Sequence, residues 1–282
     1  MFNVVGRRCI FSGVAGLTLS TLFGSPVILA AEAVPDFYRS GIGWTILNGK
    51  DFEAPPPGSP GAPGPVGDHP NYPHFGNQSG QVPTKRIGDD TSPLLLPWAK
   101  AQMAKTREAI EAGGVPFDPA ERCWQPGVPS IITFPVEPMY FLQTTDEVLM
   151  VYQRGQIVRH IYLNRPHTAN PKATWQGESV GHYEGDTLVI DTIGFTDKTF
   201  VEVFNVPHTT RLHVIERYRI VDNRLQAVFT VEDPGTFTQT WSAQKSHRPS
   251  TDLFEESLCQ ENGEDRFNQG LVPIPTDDTP DF

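Results

Sequence analysis

The chain reads as a mainly β protein: an antiparallel β-barrel with an extended N-terminal arm and one flanking helix. Three observations carry this reading. From Cys123 onward, short apolar runs recur at even spacing with almost no helical periodicity among them. Turn residues separate the runs, at Pro135, Pro138, Asp146, Arg154-Gly155, Glu184-Gly185-Asp186 and Asp222-Asn223. Several runs alternate, with one face apolar apart from occasional aromatic and polar side chains, which suits an interior that holds a ligand. A two-sheet sandwich also satisfies the spacing.

The elements follow in chain order. Residues 1–33 read as a signal peptide. Arg7 and Arg8 give it a basic start, an apolar run extends from Ile10 to Ala31, and Ala31-Glu32-Ala33 supplies small-residue cleavage sites. Gly13, Gly16, Gly24 and Pro26 interrupt the run, so no stable membrane span is expected. Arg7-Arg8-Cys9-Ile10-Phe11 fits a weak twin-arginine signal, and the same segment fits an ordinary secretion signal. Either route makes the protein periplasmic or secreted.

Residues 34–92 read as a Pro/Gly-rich arm. Gly58, Gly61, Gly64 and Gly67 recur every three residues, too few for a triple helix, so an extended polyproline-like linker is expected. His69 and His74 fall here as loop residues.

Residues 93–265 are the barrel domain. It opens on a helix, Leu94–Ala112, whose sparse apolar face is Trp98, Met103 and Ile110, stopped by Gly113-Gly114. Strands are predicted at Ser130–Phe134, Met139–Thr144, Glu147–Tyr152, Ile157–Leu163, Thr187–Thr192, Leu212–Val221, Leu225–Val231 and Thr236–Lys245. Asp222-Asn223 makes a hairpin turn. Residues 266–282 are a tail.

Composition narrows the function. With 33 acidic against 22 basic residues, the formal net charge is −11. That argues against nucleic acid and against an anionic membrane surface as partners. No GxGxxG or Walker loop is present, and Gly177-Glu178-Ser179-Val180-Gly181 lacks the strand–turn–helix context of a nucleophile elbow. No cofactor is therefore expected. No HxH or HExxH spacing supports a metal site, although His167 and His208 with Asp191 or Glu216 form an imaginable set. Cys9 leaves with the signal, so Cys123 and Cys259 remain as an even pair in an exported chain. A disulfide between them would add roughly 4–5 kcal/mol at most by loop entropy. A catalytic thiol is the alternative reading, with neither cysteine beside a His or a helix start.

Strand faces select the site residues. In Leu212–Val221, Leu212, Val214, Glu216, Tyr218 and Ile220 share the apolar face, which takes Glu216 and Tyr218 inward. A buried carboxylate must be paired, hydrogen-bonded or protonated. Protonated, Glu216 is a general acid or base; paired, it is structural, with Arg159 an available partner. His208, at the mouth of this strand, is either its acid–base partner or a histidine bound to a loop carbonyl. On Ile157–Leu163, Arg159 and Ile161 share one face, and Val158, His160 and Tyr162 the other. His167 follows in the next turn. Asp191 shares a face with Thr187 and Val189 and sits either inside a barrel or in water.

Several segments carry a resemblance. They are Cys123-Trp124-Gln125-Pro126-Gly127, Gln143-Thr144-Thr145-Asp146, Arg159-His160-Ile161-Tyr162-Leu163 and the block Gly177–Val189. Pro207-His208, Glu216-Arg217-Tyr218-Arg219, Asp233-Pro234 and Cys259-Gln260-Glu261-Asn262 follow in the same order. Residues 92–262 thereby resemble a large family of secreted bacterial proteins, mostly uncharacterised. The family carries a Gly-x-Ser-x-Gly-x-[Trp/Tyr]-Glu-Gly-Asp-Thr-Leu-Val block. The resemblance implies an exported, lipocalin-like β protein and supports the Cys123–Cys259 pairing. It supplies no reaction. The chain departs from the family at Glu178, where a His is expected, at His182, where Arg or Lys is expected, and at Gln153, where Glu is usual.

The leading expectation is an exported small-molecule enzyme, a lyase, isomerase or hydrolase without cofactor, acting on a mostly apolar or aromatic compound. Glu216, His208, Tyr218 and Arg159 are the catalytic candidates. Asp191, His167, Tyr162 and Trp175 are the substrate-binding candidates. The rival is a periplasmic binding protein for a hydrophobic ligand, in which Glu216 and Arg159 form an interior pair. A third reading is an envelope structural protein that reaches a partner through the arm.

Overall fold

The computed structural model describes residues 34–39, 41–47, 52–64, 87–112, 123–133, 137–202 and 204–256. Residues 1–33, read from the sequence as a signal peptide, and His69, His74, Cys259 and residues 266–282 lie outside the described residues.

Ten strands are present among the described residues. They are β1 (Gly43–Ile46), β2 (Ala62–Pro63), β3 (Met139–Gln143), β4 (Glu147–Tyr152), β5 (Ile157–Leu163), β6 (Glu178–Glu184), β7 (Thr187–Ile193), β8 (His213–Val221), β9 (Arg224–Glu232) and β10 (Trp241–Ser250). Two helices accompany them, α1 (Pro97–Glu111) and the single turn α2 (Ser130–Thr133). The sheet runs from β1 through β3 to β10, and β10 pairs back onto β1, so nine strands close a barrel. Closure removes the unpaired edges that an open sheet would expose. β2 joins from outside the ring, parallel to β10.

The expected barrel is therefore present, but it is mixed and not purely antiparallel. β5 and β6 pair in parallel, with Ile161 opposite Ser179. Parallel neighbours need a long crossover, and residues 164–177 provide it. Gly177 ends that crossover at φ +70°, where a Cβ would meet the Ile193 carbonyl oxygen at 2.7 Å. Tight turns join two of the antiparallel pairs, whereas the longer stretch 194–212 links β7 to β8. Gly185-Asp186 joins β6 to β7, and Asp222-Asn223, both at positive φ, joins β8 to β9. Positive φ at both central residues matches the twist of the flanking strands.

Three sequence expectations need correction. The stretch read as an arm supplies β1, the strand that closes the ring, because its aromatic residues are core residues: Phe37 and Trp44 are fully buried. Gln143 fastens it, accepting from the Phe37 amide and donating to the Pro35 carbonyl, both at 2.8 Å. Ser130–Phe134 is not a strand. Following Pro129, it turns once as α2 and buries Ile131 and Ile132 without a sheet partner. The last strand begins at Trp241, since Thr236 and Phe237 instead close a turn on the Asp233 carbonyl.

The expected helix forms, but it begins at Pro97, not Leu94, and one face residue differs. Pro97 starts α1 at a position where its missing N–H costs nothing. Ala99, Met103 and Ile110 are buried, whereas Trp98 lies at the rim and donates its indole N–H to the Gly235 carbonyl. Among the described residues, no helix is long and apolar enough to cross a membrane.

Candidate functional site

Strand alternation sorts the polar residues of β5 to β8 into two groups. Arg159, Ser179, Thr192, Glu216 and Tyr218 point into the barrel, and each is at most 2% exposed. The Arg159 guanidinium donates to both oxygens of Glu216, at 3.0 Å to Oε1 and with a shorter contact to Oε2. It also donates to Ser179 Oγ at 3.1 and 3.0 Å and to Thr192 Oγ1 at 2.8 Å. The Tyr218 hydroxyl completes the set, donating to Glu216 Oε1 at 2.7 Å.

The network is closed. Burial works against the Arg159 charge, but Glu216 beside it prevails and holds the guanidinium above its ordinary pKa. Burial, reinforced by the neighbouring carboxylate, pushes Tyr218 well above the phenol range. The bidentate contact with Arg159, with the Tyr218 hydroxyl beside it, gives each oxygen of Glu216 a donor. Of the two sequence readings for Glu216, the pairing with Arg159 is the one that forms. Phe141 packs edge-on against Tyr218, with ring centroids 5.5 Å apart, and seals this region with apolar surface.

His208 belongs to a different network. Its Nδ1–H donates to the Thr209 carbonyl at 2.9 Å, and its Nε2 accepts from Thr199 Oγ1 at 2.6 Å. Burial depresses its pKa, so it is kept neutral. This is the loop-carbonyl histidine of the two readings; Glu216 and His208 share no hydrogen-bond partner. Asp233 holds the loop in place, accepting from the Thr209 amide at 2.6 Å and the Thr209 hydroxyl at 2.7 Å.

The outward-facing residues of the same strands form an array that crosses four strands. Asp191 on β7 lies outside the barrel. Its Oδ1 meets His167 Nε2 at 2.9 Å and His213 Nε2 at 3.0 Å. His167 Nδ1 faces Glu178 Oε1 at 3.1 Å, and His213 Nδ1 faces Glu232 Oε2 at 3.3 Å. Glu178 also accepts from the Thr168 amide and hydroxyl. Hydrogen bonding to Asp191 raises the His213 pKa, and the same contact lowers that of Asp191. Sequence reasoning placed Asp191 and His167 among the site residues but did not connect them to His213, Glu178 or Glu232. Alternation had put His213 on the outward face of β8 but left Asp191 open between the interior and water; the structure places it outside, and the β7–β8 pairing makes the two neighbours.

Tyr162 and Trp175 are separate from both networks. Tyr162 lies on the outer face of β5 under the Arg165 guanidinium, 3.6 Å from the ring centroid. Trp175 meets Trp124 edge to face at 5.0 Å. It lines a groove of about 350 Å³ with Ile157, Val158, Gln125, Thr174 and Gln176. Val158 is 45% exposed, an apolar residue open at the outer surface. The Gln176 amide donates to Gln125 Oε1 at 2.9 Å, while its own buried Oε1 has no partner among the described residues. A second groove, of about 400 Å³, runs between Pro171, Phe195, Arg211 and His213.

No protein-family model and no curated protein matches the chain. Among solved structures, the chain is similar to the fluorescent protein UnaG. The wild-type match is 16% identical, with a TM-score of 0.23, and covers 39% of this chain and 70% of the other. A point mutant of UnaG matches at 16% identity and a TM-score of 0.25, covering 47% of this chain and 88% of the other.

Proposed function

We propose that this chain is an exported binding protein that holds a small, mostly apolar aromatic compound against Trp175, using the barrel as a rigid frame. The observation that carries this reading is the Trp175 groove. It offers an aromatic edge, the aliphatic side chains of Ile157 and Val158, and a buried, unpartnered amide oxygen on Gln176. Small-molecule sites combine an apolar lining with a few placed polar groups, and a buried acceptor without a donor favours a ligand that brings one. An aromatic N–H or O–H compound meets both demands.

The acid–base reading at Glu216 and His208 is the weaker one. Glu216 is committed to Arg159 and Tyr218, and His208 to Thr199 and the Thr209 carbonyl. Export and a Cys123–Cys259 disulfide belong to the proposal, supported by the basic-then-apolar segment over residues 1–33 and by the family resemblance. Intact mass of protein recovered from the producing cell, with and without reductant, checks both.

The binding test is a fluorescence titration of the mature protein with a panel of indoles, phenols and anilines, alongside mass spectrometry of each compound. Saturable quenching is expected, weakened at least about tenfold in Trp175→Ala, with the compound recovered intact. No saturable binding, or binding indifferent to Trp175→Ala, counts against the groove. Consumption of a compound returns the enzyme reading.

A further inference from the structure

The array on the outer face fastens the crossover to the barrel, and its hydrogen bonds need protons. We infer that it is a proton-dependent latch. With His167 and His213 both charged, it holds the crossover, residues 164–177, against the outer faces of β6, β7 and β8; loss of their protons releases it. The inference is independent of what occupies the Trp175 groove.

Each ring has a carboxylate at both of its nitrogens. His167 lies between Glu178, 3.1 Å from Nδ1, and Asp191, 2.9 Å from Nε2. His213 lies between Glu232, 3.3 Å from Nδ1, and Asp191, 3.0 Å from Nε2. A neutral imidazole has one N–H and an imidazolium has two. The four contacts therefore use four N–H groups, which only two imidazolium rings supply. A neutral ring donates to one carboxylate and turns a lone pair on the other. The charges around the rings favour the protonated form. Glu178 faces them from β6, Asp191 from β7 and Glu232 from β9. Of the cations nearby, Arg211 lines a groove with His213, Arg165 is stacked on Tyr162, and Lys172 is exposed. The hydrogen bond to Asp191 raises the His213 pKa, in the sense this balance requires.

The latch sits where the crossover has few other ties. Its ends are held through backbone, the Asn164 amide donating to the Gly181 carbonyl at 2.8 Å and the Thr174 amide to the Gly194 carbonyl at 3.0 Å. Between those ends, among the described residues, the hydrogen bonds of residues 165–173 are those of His167 and Thr168, and they reach only Glu178 and Asp191. Pro171 and Ala173 form one wall of the groove whose other wall includes Ile193, Phe195 and Leu212. Phe195 and Leu212 are buried there, so release of the crossover opens this groove and uncovers apolar surface. Segments with few ties open locally without global unfolding. The sign follows from linkage. A histidine whose folded pKa is raised contributes fully below its ordinary value, 6.5, and loses that contribution as pH rises through the raised one. The crossover is therefore held in mildly acid solution and freed in alkaline solution.

The test is hydrogen–deuterium exchange of the mature protein, without ligand, at about pH 6 and about pH 8.5, with times scaled for the intrinsic chemical rate. Peptides over residues 164–177 should lose protection at least about fivefold at the higher pH, the scale of one exposed ion pair. Peptides from β4 and β5 should keep theirs. His167→Gln and His213→Gln remove the charge and should show the released crossover at both pH values. His160→Gln, which lies outside the array, should keep the wild-type difference. Circular dichroism of each variant separates loss of the latch from loss of the fold, and the wild-type comparison stands even where a variant does not fold. Equal protection of the crossover at both pH values overturns the inference. So does a pH difference that survives the combined loss of His167 and His213, or a loss of protection spread equally over β4 and β5.

Discussion

Strands β7 and β8 carry polar side chains on both faces, and the two faces treat them in opposite ways. Inside, Glu216 and Thr192 meet Arg159 in a fully buried network with its hydrogen bonds spent. Outside, Asp191 and His213, each close in sequence to an inward partner, meet across the same strand pair in an accessible array with a negative excess. Alternation alone separates them. The inner set is shut away from solvent, and its consequence is the packing of the barrel. The outer set is solvated, so its charges are screened and it contributes little to stability. The imidazoles follow the same division: burial lowers His247 on the inner face to about 4, whereas His213 outside is raised by Asp191.

The comparison can be broken most easily at Glu216. Glu216→Leu or Arg159→Met alone leaves an unpaired buried charge and should cost about 3–5 kcal/mol in urea unfolding. The double variant should recover most of this, because an apolar pair of similar volume removes both desolvation penalties. A single variant within about 1 kcal/mol of wild type would show that the interior pair is not structural.

The next effect is on pH. His247 is buried, and its Nε2 donates to the Ile132 carbonyl at 3.2 Å. Its folded pKa, about 4, lies below the ordinary 6.5. The unfolded chain then binds the proton first. Stability is present above the ordinary value and is lost as pH falls towards the folded one, at about 1.4 kcal/mol per pH unit at most. His208, lowered by burial as well, adds in the same direction. Urea midpoints between pH 7 and 4.5 read the slope, and His247→Gln should flatten it. An unchanged slope would mean the interior histidines are not the acid-sensitive groups.

Outer-face changes should be smaller. Asp191→Asn should shift unfolding by no more than about 1 kcal/mol, since solvent screens the array. A loss as large as that at Glu216 would make the array a structural clasp on the crossover. Smallest of all, Arg217→Ala removes a half-exposed pair with Glu184 at 2.6 Å and should move stability by about 0.5 kcal/mol or less. These changes rank burial against charge around the barrel.

Much of the barrel was legible because strand period and turn chemistry are local. Glu147–Tyr152 and Ile157–Leu163 coincide with β4 and β5, and Asp222-Asn223 forms its turn. The inward set on β8 was legible too, since one apolar face decides where Glu216 and Tyr218 go. Other elements were hidden for physical reasons. β6, ESVGHYE, has no apolar alternation, being defined by its partners β5 and β7. β1 lies in a stretch whose Pro and Gly content reads as linker; Phe37 and Trp44 are core only because the ring needs a ninth strand. The outer array joins residues from the crossover and four strands, and no spacing along the chain expresses that neighbourhood.

The sequence by itself determined the period of the strands, the turns and which side chains share a face, because these depend on residues a few positions apart. The tertiary structure alone decided which strands are neighbours, and with that the partners of every charged group. Glu216 received Arg159 across the barrel, His208 received Thr199 and a loop carbonyl, and Asp191 received two histidines. Pairing is set by closure of the ring and by a parallel crossover, which are properties of the whole chain.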